Sequence, residues 1–553
     1  MYTAPLLVQL LSQQSAQRTP DLFKQGTFQV KWRAKVGSFP APDTETIISA
    51  GEPCGYWPWS TKDFAELDTR PSTLPLRCFI PASSIRGVVR SWAKQRPSLV
   101  NRMNALLGQQ NQQDDITPGK IEFLDAWPVN AITPTLDVVT PQEKFQVFHD
   151  PEIKSQPHAL YTFGDGKKPV DIVIAIRGIP GKTTTAEVEE VWQWVQQAMQ
   201  SDGIGSRTSS GYGALSAPEA FSPAPNIRGP QPNYVVQRFS FQLFSQGCYG
   251  ADSINPELRP THWRGWLRSW LLRFFLGVMS EKNAQKTVAE IMGSLGENER
   301  ATKGKIKIVL EDTEEGRRSQ NFPYFYKWQG DLMISGPKNI LNGIVLPIMR
   351  FAATLGGLGR GWRRPLHYYK NLPVSRGSQL NLYQLAPNRP ALPWQIRLQP
   401  EDWPMLYSRW QTSVQSKWPH RVSQQVSAIQ AEVFSPTTCA IYAVPGPDQT
   451  PIDFRRLEWL EEDASYTRGD GLGLIYKPQY KRKRDVGGDA ASGKGSSHCS
   501  WVSIQQVQQP HPTAQTKCQE IVCLFMGKPN NLRQQFLADL RNLSGSTHLF
   551  GLT

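Results

Sequence analysis

The sequence has no run of eighteen or more apolar residues, so no membrane-spanning helix is expected. Its first seventeen residues carry no charged region ahead of their short apolar patch and no small-residue cleavage site, so no secretory signal is expected. Cysteine is scarce: seven, odd in number and scattered over 553 residues. That argues against a disulfide-stapled scaffold and fits free thiols in a reducing cytosol. The nearest thing to a metal cluster is His498-Cys499 with Cys518 and Cys523. The spacing is loose for zinc and Val522-Cys523-Leu524 reads as strand, so buried thiols are expected. The eight histidines are scattered, and none falls in 37–80.

Acidic residues are outnumbered, 47 against 61 Lys and Arg, which gives a net charge of +14. Basic residues dispersed through folded segments point to nucleic acid more than to a membrane surface. A hydrophobic content of 39% with 18 Trp and 23 Phe indicates packed globular structure. The length allows two to four domains.

One segment occurs twice. Arg86-Gly87-Val88-Val89-Arg90-Ser91-Trp92 returns as Arg264-Gly265-Trp266-Leu267-Arg268-Ser269-Trp270. The first copy predicts a helix capped by Ser83 and Ser84 and running to about Gln95. Ile85, Val88, Val89 and Trp92 share its apolar face, and Arg86, Arg90 and Lys94 form a basic stripe. Gly87 costs a helix about 1 kcal/mol relative to alanine, and close approach of a backbone or ligand is the usual reason to accept it.

Around that helix the pattern predicts strands at 26–36, 120–125 and 170–177, a helix at 187–200 and a strand near Gly213. This is the order of a split βαβ. Residues 218–233, with five prolines, read as a linker between modules 1–217 and 234–553. In the second module strands are expected at 234–244, 305–311 and 331–335, and helices from Thr261 and over about 340–355. A strand at 520–526 and a helix at 530–541 would close it. Residues 370–500 fall outside the plan and read as an insertion. The expected class is α+β, two ferredoxin-like, RNA-recognition-motif-like modules with long loop insertions.

Each second helix runs into a glycine-rich loop. The first is Gly203-Ile204-Gly205-Ser206-Arg207-Thr208-Ser209-Ser210-Gly211-Tyr212-Gly213; the second includes Gly356, Gly357, Gly359, Arg360, Gly361, Arg363 and Arg364. Glycines, hydroxyls and guanidinia let backbone N–H groups approach phosphates. The arginine stripes, including Arg264 and Arg268, suit sequence-independent grip on an RNA backbone. Gly488 to Gly495 only mimics a phosphate-binding loop, because Gly495 stands where Ser or Thr is required. Lys477 to Arg484 reads as a basic segment able to touch nucleic acid.

Phe79-Ile80-Pro81-Ala82-Ser83-Ser84-Ile85-Arg86-Gly87 resembles the "IPGSS-x-(K/R)-G" signature of the RAMP superfamily, which builds the backbone of type III CRISPR effector complexes. The loop Gly203 to Gly213 resembles that superfamily's glycine-rich loop, and Gly356 to Arg364 is a poorer match. Ile121 to Pro128 with Leu136 to Pro141 is similar to the sixth-named backbone subunit. Gly250-Ala251-Asp252 and Glu257 to Arg268 look like the first-named one.

The resemblance implies binding of a CRISPR guide RNA and target RNA, beside other effector subunits and the large signalling subunit, in the cytoplasm and without a membrane. It implies that the excursion 126–168 is a thumb that kinks the guide. Some members cleave target RNA with a divalent metal held by an acidic loop residue. Here Asp68 is the positional match, with Mg²⁺ or Mn²⁺ and no organic cofactor. Asp43, Glu52, Asp63 and Glu66 compete with it, and Asp252 is the analogue in the second module, which lacks the Ser-Ser pair. A guide-processing endoribonuclease of the same superfamily would need a histidine before the first helix, which 37–80 does not provide. A non-catalytic RNA-binding scaffold differs only at Asp68.

Overall fold

The computed structural model describes residues 10, 14, 18–35, 55–57, 77–110, 116–130, 132, 135–139, 143–149, 158–216, 233–245, 256–294, 302, 304–318, 325–369, 372–423, 430–448, 450–453, 456–459, 468–481, 486–488, 499–509, 517–527 and 530–553. The chain forms two compact units. The first is 1–139 with 157–232, and the second is 140–156 with 233–553.

In the first unit β1 (Phe23–Val30), α1 (Ala82–Lys94), α2 (Val100–Leu107), β2 (Ile121–Phe123), the hairpin β3 (Thr135–Val139) and β4 (His158–Thr162), β5 (Val170–Gly178), α4 (Thr185–Asp202) and β6 (Leu215–Ser216) follow in order. Between β3 and β4 lies α3 (Glu143–Phe148), which belongs to the second unit. The main sheet runs β6-β1-β5-β2 with antiparallel neighbours. Counted by role, that is fourth, first, third, second strand, the split βαβ arrangement.

The helices form where the sequence places apolar stripes. Ile85, Val89, Trp92 and Ala93 are buried on α1, and Val188, Val191, Trp192, Val195 and Met199 on α4. Helix α4 starts at a reciprocal capping box. The Glu187 N–H donates to Thr184 Oγ1 at 3.3 Å, and the Thr184 N–H donates to Glu187 Oε2 at 3.0 Å. Helix α1 starts differently from expectation. Pro81 is its cap residue and makes no side-chain cap bond; the Ala82 N–H donates to Asp125 Oδ1 at 2.8 Å. Ser83 and Ser84 therefore sit in the first turn.

In the second unit β7 (Tyr234–Ser245), α5 (Pro260–Leu276), α6 (Glu281–Met292), β8 (Lys307–Arg318), β9 (Tyr326–Pro337), α7 (Leu346–Leu355), β10 (Ser378–Ala386) and β11 (Arg389–Pro393) repeat the plan. Their sheet runs β8-β9-β7-β10-β11. After α8 (Asp402–Lys417) the plan returns a third time: β12 (Cys439–Pro445), α9 (Asp470–Ile475), α10 (Pro478–Lys481), β13 (Val502–Gln509), β14 (Lys517–Phe525), α11 (Asn531–Arg541) and β15 (Thr547–Gly551). This sheet runs β13-β14-β12-β15, again second, third, first, fourth. The part of 370–500 outside the repeated plan thus includes the opening strand and helix of a third βαββαβ module.

Strand alternation shows why the second and third modules make one unit. Ile521, Cys523 and Phe525 of β14 point into the core that contains the aromatic side of α5. Val522 and Leu524 point the other way, onto Phe536 and Leu540 of α11. Both faces of the third sheet are buried, and one of them is shared.

One joint recurs in all three modules. After α2, Gly108 has φ +78°, and a Cβ there would lie 2.7 Å from the Gly119 nitrogen. After α6, Gly293 has φ +85° and the corresponding distance to Gly304 is 2.8 Å; after α10, Gly488 has φ +66° and the distance to Ser500 is 2.6 Å. Only glycine fits such a crossing just before the second strand. In the first two copies the sequence after the crossing is Thr-x-Gly-Lys-Ile, at 117–121 and 302–306. The N–H groups of Lys120 and Lys305 donate to Leu106 and Ile291 carbonyls, both at 2.8 Å.

Candidate nucleic-acid interface

In a split βαβ unit the end of the first strand, the start of the first helix and the loop after the second helix lie at one end of the sheet. The first unit obeys this rule. The Ser206 N–H donates to the Lys35 carbonyl at 2.7 Å and the Gly213 N–H to the Arg33 carbonyl at 2.6 Å, pinning the glycine loop beside the chain that leaves β1. Inside the loop, the Ile204 N–H donates to the Gly213 carbonyl at 2.8 Å. Gly203 has φ +76° and Gly205 +80°, while Arg207 takes φ +59°, a left-handed conformation uncommon for a side-chain-bearing residue. Behind the loop, Tyr212 donates to the buried Asp137 carboxylate at 2.5 Å and packs on Trp32 at 4.8 Å.

This geometry brings Arg207 close to Lys35. Burial, with the Arg207 charge, pushes the Lys35 ammonium from 10.5 down to about 8. Burial also lowers Arg207. Lys35 is buried and Arg207 half-buried; Asp137 offsets part of the cost at Arg207, and an anion reaching both cations would be favoured further. Ser206 is exposed, and Gly205, Arg207 and Thr208 are half-buried at the rim. Lys35 was missed from sequence because nothing local distinguishes it; its pairing with Ser206 across the sheet end creates the site.

The arginine stripes prove less open than expected. Arg86 donates to the Leu107 carbonyl and Arg90 to the Gly108 carbonyl, at the end of α2. In the second unit Arg268 donates to the Gly293 carbonyl at 2.7 Å, at the end of α6. These side chains finish a neighbouring helix whose last carbonyls lack partners. Arg86 still keeps an exposed surface, and Arg264 is half-buried.

In the second glycine loop Arg360 is exposed, whereas Arg363 and Arg364 are not the surface donors expected. Arg363 donates to Glu432 Oε1 at 2.5 Å and to the Gln146 carbonyl at 3.1 Å. Arg364 donates to the Val502 and Gly487 carbonyls and to Ser500 Oγ. Arg363 turns inward onto the buried Glu432, and Arg364 turns onto polar groups of 487–502. Asp68, Asp252 and His498 lie outside the described residues. Cys499, Cys518 and Cys523 are free thiols. Burial pushes Cys518 up to about 12 and Cys523 well above its usual value, which disfavours the thiolate a metal needs. Among the described residues no three His, Cys, Asp or Glu side chains group to hold a metal, and no helix is long and apolar enough to cross a membrane.

The sequence profile of the RAMP superfamily matches residues 60–216. The first unit carries a RAMP-superfamily module. The matched segment includes helix α1 and the loop Gly203 to Gly213. No curated protein matches the chain. Among solved structures, the crystal structure of Cmr6 from Pyrococcus furiosus shows 18% identity over 36% of this chain and 99% of that one, with a TM-score of 0.19.

Proposed function

We propose that the chain is a guide-RNA-binding backbone subunit of a type III CRISPR ribonucleoprotein, acting in the cytoplasm in antiviral defence with other effector subunits. The observation that carries this reading is the pair Gly87 and Gly265. Both are exposed in the middle of a helix at the same position of the repeat, and a Cβ at either would meet no atom within 4 Å. Glycine there costs about 1 kcal/mol of helix stability, and among the described residues no neighbouring segment uses the space it leaves. An external backbone closing onto that face does. Arg86 and Arg264 precede these glycines, and the Lys35–Arg207 pair adds anion-seeking charge in the first unit. The RAMP-superfamily match over 60–216 supports an RNA partner.

Gly87→Ala and Gly265→Ala should hold or raise the melting temperature, while Gly87→Leu and Gly265→Leu lower the affinity for guide RNA. Unchanged RNA affinity in both leucine variants would overturn the reading. In the same reading Asp68 serves cleavage of guide-paired target RNA with Mg²⁺ or Mn²⁺. Asp68→Ala should then remove one cut and leave guide binding intact, and an unaltered cut pattern leaves the chain a scaffold.

A further inference from the structure

The third module repeats the open glycine. Aligned on it, Ile85-Arg86-Gly87-Val88-Val89-Arg90 of α1 and Trp263-Arg264-Gly265-Trp266-Leu267-Arg268 of α5 correspond to Gly471-Leu472-Gly473-Leu474-Ile475 of α9 with Tyr476 just after it. Position by position, Ile85, Trp263 and Gly471 are buried, as are Val89, Leu267 and Ile475. Gly473, like Gly87 and Gly265, has no atom within 4 Å of a Cβ placed on it. The two arginines of the repeat are absent from α9, and cations arrive from elsewhere.

Arg468 lies over the Tyr476 ring at 4.7 Å and Lys481 approaches it at 5.6 Å. Lys477 is exposed next to the tyrosine, and Asp470 is the exposed acid of this stretch. The ring is held in place: its hydroxyl lies 3.2 Å from His367 Nε2, whose Nδ1 meets the Pro365 carbonyl at 2.8 Å. That carbonyl can only accept, so Nδ1 carries the proton and Nε2 accepts from the tyrosine. A fixed aromatic ring with two cations on it and an exposed lysine next in sequence, beside a gap on a helix surface, is the equipment of a single-strand contact.

We infer that the third module carries a further contact for single-stranded RNA, built from Arg468, Gly473, Tyr476, Lys477 and Lys481. The inference rests on the reading that α1 and α5 meet RNA at Gly87 and Gly265.

The test uses the full chain and an unstructured oligouridine, titrated across a range of salt. Gly473→Leu and Lys477→Glu should each weaken binding roughly three- to tenfold, and Lys477→Ala should flatten the salt slope by about 0.7. Photo-crosslinking from 4-thiouridine should mark residues 468–481. Lys477 is exposed, so its variants test the site even if Gly473→Leu unfolds. If Gly87→Leu and Gly265→Leu weaken binding while both third-module variants bind like wild type, the third contact is overturned and the function stands. If none of the four weakens binding, both fall. Unchanged RNA binding with lost association of another effector subunit would make the face a protein contact, which also overturns the inference.

Discussion

Arg268 donates to the Gly293 carbonyl as Arg90 does to that of Gly108, so the most conspicuous arginines of the repeat are braces between consecutive helices. Each satisfies a carbonyl at a helix end, and a hydrogen bond from a charged donor is worth about 1.5–3 kcal/mol. Arg268→Ala should therefore lower the second unit's unfolding free energy, read from urea denaturation, by an amount in that range. Arg360→Ala, at an exposed position, should stay within about 0.5 kcal/mol of wild type. Equal effects of the two substitutions would refute the brace.

Glu432 is fully buried with Arg273 and Arg363, and His149 meets it at 2.8 Å while stacking on Trp501 at 3.9 Å. Removing one partner from a buried ion group costs about 3–5 kcal/mol, so Glu432→Ala should unfold the second unit at markedly lower denaturant.

The same cluster sets an acid limit. Burial raises a carboxyl and the two guanidinia lower it; the guanidinia win and hold Glu432 at about 2, below its ordinary 4.5. Burial lowers His149 below 6.5. Both folded values lie below the unfolded ones, so the unfolded chain binds protons first and stability falls with pH. Melting temperature should drop below pH 6.5 through His149, then again from 4.5 toward 2 through Glu432. His149→Gln should erase only the first step.

Glu520 behaves oppositely. It accepts from the Gly469 and Leu472 N–H groups at 3.0 and 2.8 Å, yet burial outweighs these donors and lifts it to about 7. A raised carboxyl stabilises the fold fully below its unfolded value of 4.5, and that contribution is lost as pH rises through 7. Hydrogen exchange of α9 should accelerate beyond its intrinsic pH dependence between pH 4.5 and 7. Glu520→Gln should remove that excess.

Tyr212→Phe takes the hydroxyl from a carboxylate with no exposed surface, Asp137. A loss of about 1–3 kcal/mol in the first unit is expected, with weaker RNA binding because the loop of Arg207 loses its backing. Unchanged stability would mean that the contact contributes nothing.

The repeated helices and their strands were legible because apolar stripes such as Val188 to Met199 and the alternation of β7 announce themselves. The third module was not, since α9 is six residues long and has no arginine to match Arg86 or Arg90. Its kinship lies in a strand order and a glycine crossing that only three dimensions reveal. The Thr-x-Gly-Lys-Ile repeat in the sequence marks the crossing in the first two modules, at 117–121 and 302–306, and has no copy after Gly488. Arg363 and Arg364 misled because a charged residue in a glycine loop reads as exposed, whereas Glu432, nearly seventy residues on, draws Arg363 inward.

Helix α3 lies between two strands of the first unit but is built into the core of the second, where Val147 is fully buried. During synthesis the surrounding strands leave the ribosome long before Asn233–Thr553 exist. At about 5–20 residues per second, Val147 and Phe148 wait tens of seconds for the surface that will cover them. A nascent first half is thus sticky by construction. Producing the two halves from separate messages would strand this peptide on the wrong polypeptide.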